Sequence, residues 1–203
     1  MKLLIITNLF PNRVEPNRGL FNKQQLLALA RHGEVRVVAP VPWFPRARWL
    51  RWIRPWSRYA DVPSRETLEG IEVHHPRYLV IPKVARSLHG LSYFFGIRRT
   101  VASLRRRFPF DAMLATWAYP DVVAATWLAR RVGVPVVAKV HGSDLNVLAR
   151  GWLRRRMIAR ALRRSAAVVA VSSGLKQHVV ALGVPEERVT MIPNAVDARR
   201  FRP

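Results

Sequence analysis

Val136-Val137-Ala138-Lys139-Val140-His141-Gly142-Ser143-Asp144 decides how the rest of the chain is read. A short, mainly β-branched run predicts a strand over 136–140, and the small and polar residues that follow predict its end. Similar runs recur at Leu3 to Asn8, Val35 to Pro40, Ile71 to His75, Ala112 to Thr116, Ala167 to Val171 and Val189 to Ile192. Longer segments with helical spacing separate them: Leu20 to Arg31, Leu88 to Arg107, Pro120 to Arg131, Trp152 to Arg164 and Ser173 to Leu182. Strands alternating with helices are the signature of βαβ units on a parallel sheet. The expected fold is α/β: a Rossmann-like, doubly wound, mostly parallel sheet of about seven strands with helices on both faces. Gly33, Gly133 and Gly183 stand where left-handed helix caps belong.

Composition narrows the partners. The chain has 203 residues and half of them are hydrophobic, which excludes a disordered tail and supports one ordinary core. Lys and Arg number 35 against 12 Asp and Glu, a formal charge of +23. Nucleic acid, phospholipid headgroups and phosphorylated substrates are all attracted to such a surface. The basic residues are mostly Arg, a bias that a GC-rich genome produces without selection for binding. Without cysteine there is no disulfide, thiolate nucleophile or Cys-ligated zinc. The apolar stretch Leu3 to Ile6 is too short for a signal-peptide core, and no uncharged run reaches membrane-spanning length. A cytoplasmic protein is expected.

In an open α/β sheet the ligand crevice lies beyond the carboxyl ends of the strands. Three segments qualify: Asn8 to Phe21, His141 to Asp144, and Ser172 to Gly174. In the first, Asn17-Arg18-Gly19 precedes a helix, where backbone N–H groups approach an anion or where Gly19 simply makes a turn. In the second, Gly142 permits a tight turn and His141 faces a ligand, or His141 is a loop histidine with Ser143 or Asp144 capping the next segment. In the third, Ser172 or Ser173 caps the following helix, whose positive end points into the same crevice. The glycine patterns of dinucleotide and P-loop sites, the G-x-S-x-G elbow, D-x-D and H-E-x-x-H are all absent. No metal site is expected.

The four motifs in order are Pro16-Asn17-Arg18-Gly19-Leu20-Phe21, Val140-His141-Gly142-Ser143-Asp144, Ala170-Val171-Ser172-Ser173 and Ile192-Pro193-Asn194-Ala195-Val196-Asp197. Together they resemble the N-terminal half of family 4 glycosyltransferases, which have the GT-B fold. The resemblance implies a retaining, metal-independent enzyme of two Rossmann-like domains, with acceptor on the first and nucleotide-sugar on the second. By position, Gly19 matches the glycine loop beside the donor phosphates, with Arg18 next to it. His141 matches the histidine beside the transferred sugar, while Asp144 and Ser172 line the cleft. Asn194 matches the hinge asparagine. The chain has one glycine where many members have a pair, and Ala195 where the hinge glycine is usual. Residues 1–192 form the acceptor-side domain under this reading, and 193–203 begin the hinge to a donor-binding domain that lies outside the chain. Retaining transfer places charge against groups from both domains, so the 203 residues alone are expected to be inactive. They would be a shortened gene, a fragment or a half working with a separate donor-binding partner.

The proline-rich insert 42–63 has no convincing strand. Between Trp43 and Tyr59, Trp43, Trp49, Trp52 and Trp56 lie among Arg46, Arg48, Arg51, Arg54 and Arg58 without an acid. Helical spacing would put Trp49, Trp52 and Trp56 on one side and Arg51 and Arg54 opposite, the pattern of an interfacial anchor. Packing of these rings on the core or on an absent domain is the alternative. An anchor would hold the domain at the inner face of the cytoplasmic membrane, near a lipid-linked or growing polysaccharide acceptor. The rival reading is a non-enzymatic basic module for nucleic acid or membrane lipid. No nucleic-acid motif supports specific binding of that kind.

Overall fold

A computed structural model describes residues 1–43, 58–80, 88–146 and 151–194. The strands are β1 (Lys2–Ile6), β2 (Glu34–Val38), β3 (Val41–Trp43), β4 (Arg65–Leu68), β5 (Ile71–His74), β6 (Arg77–Leu79), β7 (Ala112–Ala115), β8 (Val136–Val140), β9 (Ala167–Ala170) and β10 (Val189–Met191). The helices are α1 (Leu20–Ala30), α2 (His89–Arg107), α3 (Val123–Val132), α4 (Ser143–Asn146), α5 (Trp152–Arg164) and α6 (Ser173–Ala181).

Eight strands form one sheet in the order β10-β9-β8-β7-β1-β2-β5-β4, and β3 pairs with β6 in a second, two-stranded sheet. All pairs in the large sheet are parallel except β4–β5. Its centre is covered on both faces, and alternation along β1 shows it. Leu4 and Ile6 join the core formed with α2, α3, α5 and α6, whereas Ile5 packs with Leu26 of α1. The doubly wound α/β expectation is met.

The eight strands of the large sheet agree with the expectation of about seven; the additional one is the charged run Arg65–Leu68, which pairs with β5 across the two-residue turn Glu69-Gly70. Both turn residues have positive φ, 48° and 83°, as a type I′ hairpin requires. The proline-rich insert contributes a strand after all, since β3 includes Pro42 and Trp43. The helix expected from Pro120 is present: a π-helical segment, Ala118–Val122, in which only Tyr119 is extended (φ −141°, ψ 128°), runs into α3 at Val123. Gly133 and Gly183 have the left-handed conformation expected of them, but Gly33 does not. There the missing side chain admits the Met1 carbonyl, whose oxygen would lie 2.4 Å from a β-carbon.

Candidate active site

The carboxyl ends of β1, β7, β8 and β9 open on one edge of the sheet, and the polar residues collect there. Val140 is registered against Ala170, so His141 and Ser172 leave neighbouring strands within two residues of that pair. The His141 ring lies near-parallel to Trp117, with centroids 5.2 Å apart, and meets the edge of Phe21 at 5.3 Å. Phe21 belongs to the first turn of α1, two residues past Gly19, so this contact joins the first and second motifs in space. Among the described residues, His141 Nε2 is shielded from solvent and has no hydrogen-bond partner. Burial, reinforced by the Lys139 ammonium, pushes its pKa down to about 4. The imidazole is therefore neutral at physiological pH, with an unpaired nitrogen in the crevice.

Asp144 is buried, and its carboxylate accepts hydrogen bonds from the backbone N–H groups of Ala118 (2.8 Å), Gly142 (2.8 Å), Leu145 (3.1 Å) and His141 (3.2 Å). It fixes the turn that carries His141 and ties it to the loop after β7. Its oxygens are spent on the protein itself, which places Asp144 beneath the crevice rather than on its lining. Burial nevertheless raises its pKa, the bonded N–H groups opposing the shift.

Gly19 stands at the start of α1 with φ +62°, and a β-carbon there would lie 2.5 Å from the Leu9 carbonyl oxygen. Two strands of the loop thus touch backbone to backbone. Arg18 is turned inward: its guanidinium donates to Glu15 at 2.7 Å, Tyr59 at 2.9 Å and the Asn8 carbonyl at 3.0 Å. These contacts brace the 8–18 loop against the 58–61 turn. Ser172 is exposed and accepts from Leu175 N–H at 3.3 Å, the capping bond expected of it.

The crevice floor holds residues that motif reading passed over. Lys139 is buried, and its ammonium donates to Gln25 Oε1 and to Asn194 Oδ1 (3.2 Å), while Gln25 Nε2 donates to Asn194 at 2.9 Å. Asn194 is thereby linked to both α1 and β8. Burial alone lowers the Lys139 pKa to about 8. Further along, the Thr116 hydroxyl donates to Thr7 (2.7 Å), and the Asn8 N–H donates to buried Asp121 (2.9 Å). Burial is the main cause that lifts the Asp121 pKa to about 8. Asn8 Oδ1 is buried without a hydrogen-bond partner among the described residues, and the Tyr93 hydroxyl interacts with the Asp121 carboxyl. Lys139 had a visible signal, a lone charge in an apolar strand; Asp121 and Gln25 had none.

Trp49, Trp52, Trp56, Arg51 and Arg54 lie outside the described residues, as do residues 195–203, where the hinge was expected. Among the described residues no group of three His, Asp or Glu side chains is placed to hold a metal ion, and no helix is long and apolar enough to cross a membrane.

Comparison with known proteins agrees with this geometry. The family model described as a glycosyl transferase 4-like domain matches residues 23–195. TuaC of Bacillus subtilis strain 168, assigned as a teichuronic acid biosynthesis glycosyltransferase, is 27% identical over all of this chain and 51% of its own length. The chain thus spans about half of the curated relative it matches. Among solved structures, Anabaena Alr3699/HepE in complex with UDP-glucose superposes with a TM-score of 0.60 at 14% identity, over 98% of this chain and 45% of that one. The UDP-GlcNAc 2-epimerase of Methanocaldococcus jannaschii follows at 0.55 and 13%, over 96% and 46%. At such identities these two show the fold.

Proposed function

The chain belongs to the glycosyl transferase 4-like domain family, and from that premise we propose that it forms the acceptor side of a two-part glycosyltransferase. In this reading a sugar passes, with retention, from a nucleotide-sugar to a lipid-linked or cell-surface polysaccharide acceptor. Neither metal nor cofactor takes part. The solved relative that binds UDP-glucose and the teichuronic acid relative support donor and acceptor classes respectively. The domain works at the inner face of the cytoplasmic membrane, which the arginine- and tryptophan-rich insert favours.

One observation carries the reading. His141 is neutral and held between two aromatic rings at the edge where an α/β sheet binds its ligand, and its shielded Nε2 has no partner among the described residues. A buried polar atom without a partner calls for one, and a sugar hydroxyl or the breaking glycosidic bond supplies it. Arg18 and Asp144 hold the two loops that frame this ring. Gly19 and Ser172 bring a helix start to each side of it, where phosphate charge is stabilised. Asn194 leads to the donor-binding half.

The test is sugar transfer from radiolabelled UDP-glucose to a membrane lipid extract. Residues 1–203 alone should give no turnover, and addition of the donor-binding half should restore it. In the restored enzyme His141→Ala should lower kcat/KM by roughly 100-fold or more, the scale of losing one preorganised contact to developing charge. Turnover by the chain alone, or full activity in the His141 variant, refutes the proposal.

A further inference from the structure

The first turn of α2 lies against the middle of α5. Gly90 of α2 faces Met157 of α5 so closely that a β-carbon would sit 3.3 Å from Met157 Cε, and its N–H donates to the Tyr119 hydroxyl at 2.8 Å. Around this junction large apolar side chains point to solvent. Leu88, Leu91 and Phe95 share one face of α2 and are about half exposed. Trp152 is 70% exposed in the first turn of α5, with Leu153 beside it at 46%. A cation stacks on each ring: Arg98 lies 5.0 Å over Phe95, and Arg156 lies 5.3 Å over Trp152.

The same helical layer is strongly cationic. α2 carries five arginines, α3 two and α5 six, with no acid on any of them. None of these arginines is in an ion pair among the described residues. A groove of 580 Å³ runs along α5 between Trp152, Arg155, Arg156, Arg160, Arg163 and Leu182. Apolar side chains at one edge, surrounded by unneutralised guanidinium groups, match a bilayer: hydrocarbon meets the acyl boundary and the cations meet anionic headgroups. Single-stranded nucleic acid fits less well, because Leu88, Leu91 and Leu153 offer no ring on which a base stacks.

We propose that the exposed apolar side chains at the starts of α2 and α5 form a docking surface for an anionic lipid bilayer, presenting the crevice edge to the membrane. The inference rests on the membrane part of the proposed function and assigns the contact to a surface separate from the insert. It predicts that the chain co-sediments with vesicles of phosphatidylcholine mixed with phosphatidylglycerol at physiological salt, and much less with phosphatidylcholine alone. The triple variant Phe95→Ser, Trp152→Ser, Leu153→Ser alters only exposed side chains, and circular dichroism checks its fold. It should lower partitioning by about tenfold or more. Arg155→Glu with Arg156→Glu should do the same through charge. If the triple variant pellets like the wild type while Trp49→Ser, Trp52→Ser, Trp56→Ser does not, this surface is overturned and the membrane reading stands. If the wild type fails to pellet, both fall. Pelleting that vanishes at physiological salt and is displaced by RNA as readily as by salt overturns the proposal in favour of general polyanion binding.

Discussion

Gly19 and Gly133 have nearly the same backbone, φ +62° and +67°, in different surroundings. Nothing lies within 4 Å of a β-carbon at Gly133, whereas at Gly19 the Leu9 carbonyl oxygen would be 2.5 Å away. Gly133→Ala should therefore cost only the left-handed conformation, about 1 kcal/mol. Gly19→Ala adds a backbone clash that no side-chain rotation relieves, and should cost at least about 3 kcal/mol. Urea unfolding of the two variants separates these contributions; equal losses would mean that the loop yields. At this scale sequence reading is uneven for a physical reason. That the Gly19 and His141 segments gather at the carboxyl ends of the strands was legible from their place after strands. That Asp144 satisfies backbone donors, and Arg18 a neighbouring loop, was hidden, since a side chain's partner depends on what the fold brings beside it.

β8 makes the point for elements. Its β-branched run announced a strand, and its neighbours β1, β7 and β9 were equally plain, because strands covered on both faces must be apolar throughout. β4 was missed because an edge strand with one solvated face tolerates Arg65, Glu66 and Thr67, and its turn uses Glu69 where asparagine or aspartate is the usual sign. Lys139 breaks the apolar pattern of β8, and its charge bears on His141 at the strand's end. The His141 pKa lies near 4 in the fold and about 6.5 in an unfolded chain. Between those values the folded state binds fewer protons, so this group's contribution to stability is present above pH 6.5 and lost as pH falls toward 4. Lys139→Met removes the nearby cation, and NMR titration of the His141 ring should show its midpoint rising by about half a unit or more. The variant should also lack the wild type's gain in stability between pH 8 and 10.5. There the folded state, with Lys139 near pH 8, already holds fewer protons than the unfolded one. An unmoved His141 midpoint would mean that burial alone keeps the ring neutral.

Across the whole molecule the acids are placed where they do local work, and the cations are not matched. Glu15 serves Arg18 and Arg58, and Glu72 serves Arg36, Arg65 and His74. Asp121 and Asp144 are buried near the crevice. The outer helices have only arginine, and Arg164, fully exposed, has its pKa lowered chiefly by Arg160, with Arg130 also contributing. A chain of net charge +23 therefore repels itself over one side. Salt should act on it in the sense opposite to a protein held by surface ion pairs. Raising sodium chloride from low to physiological concentration shortens the Debye length to about 8 Å, roughly one and a half helical turns, and screens the repulsion. The melting temperature should rise on the order of 5 °C, and sulfate at equal ionic strength should raise it further by binding the arginine groove along α5. Arg160→Gln with Arg164→Gln should shrink the response to sodium chloride, since it removes Arg164 and the neighbouring cation that acts on it most. A melting temperature that falls with salt would place the controlling electrostatics in the Glu15 and Glu72 networks instead.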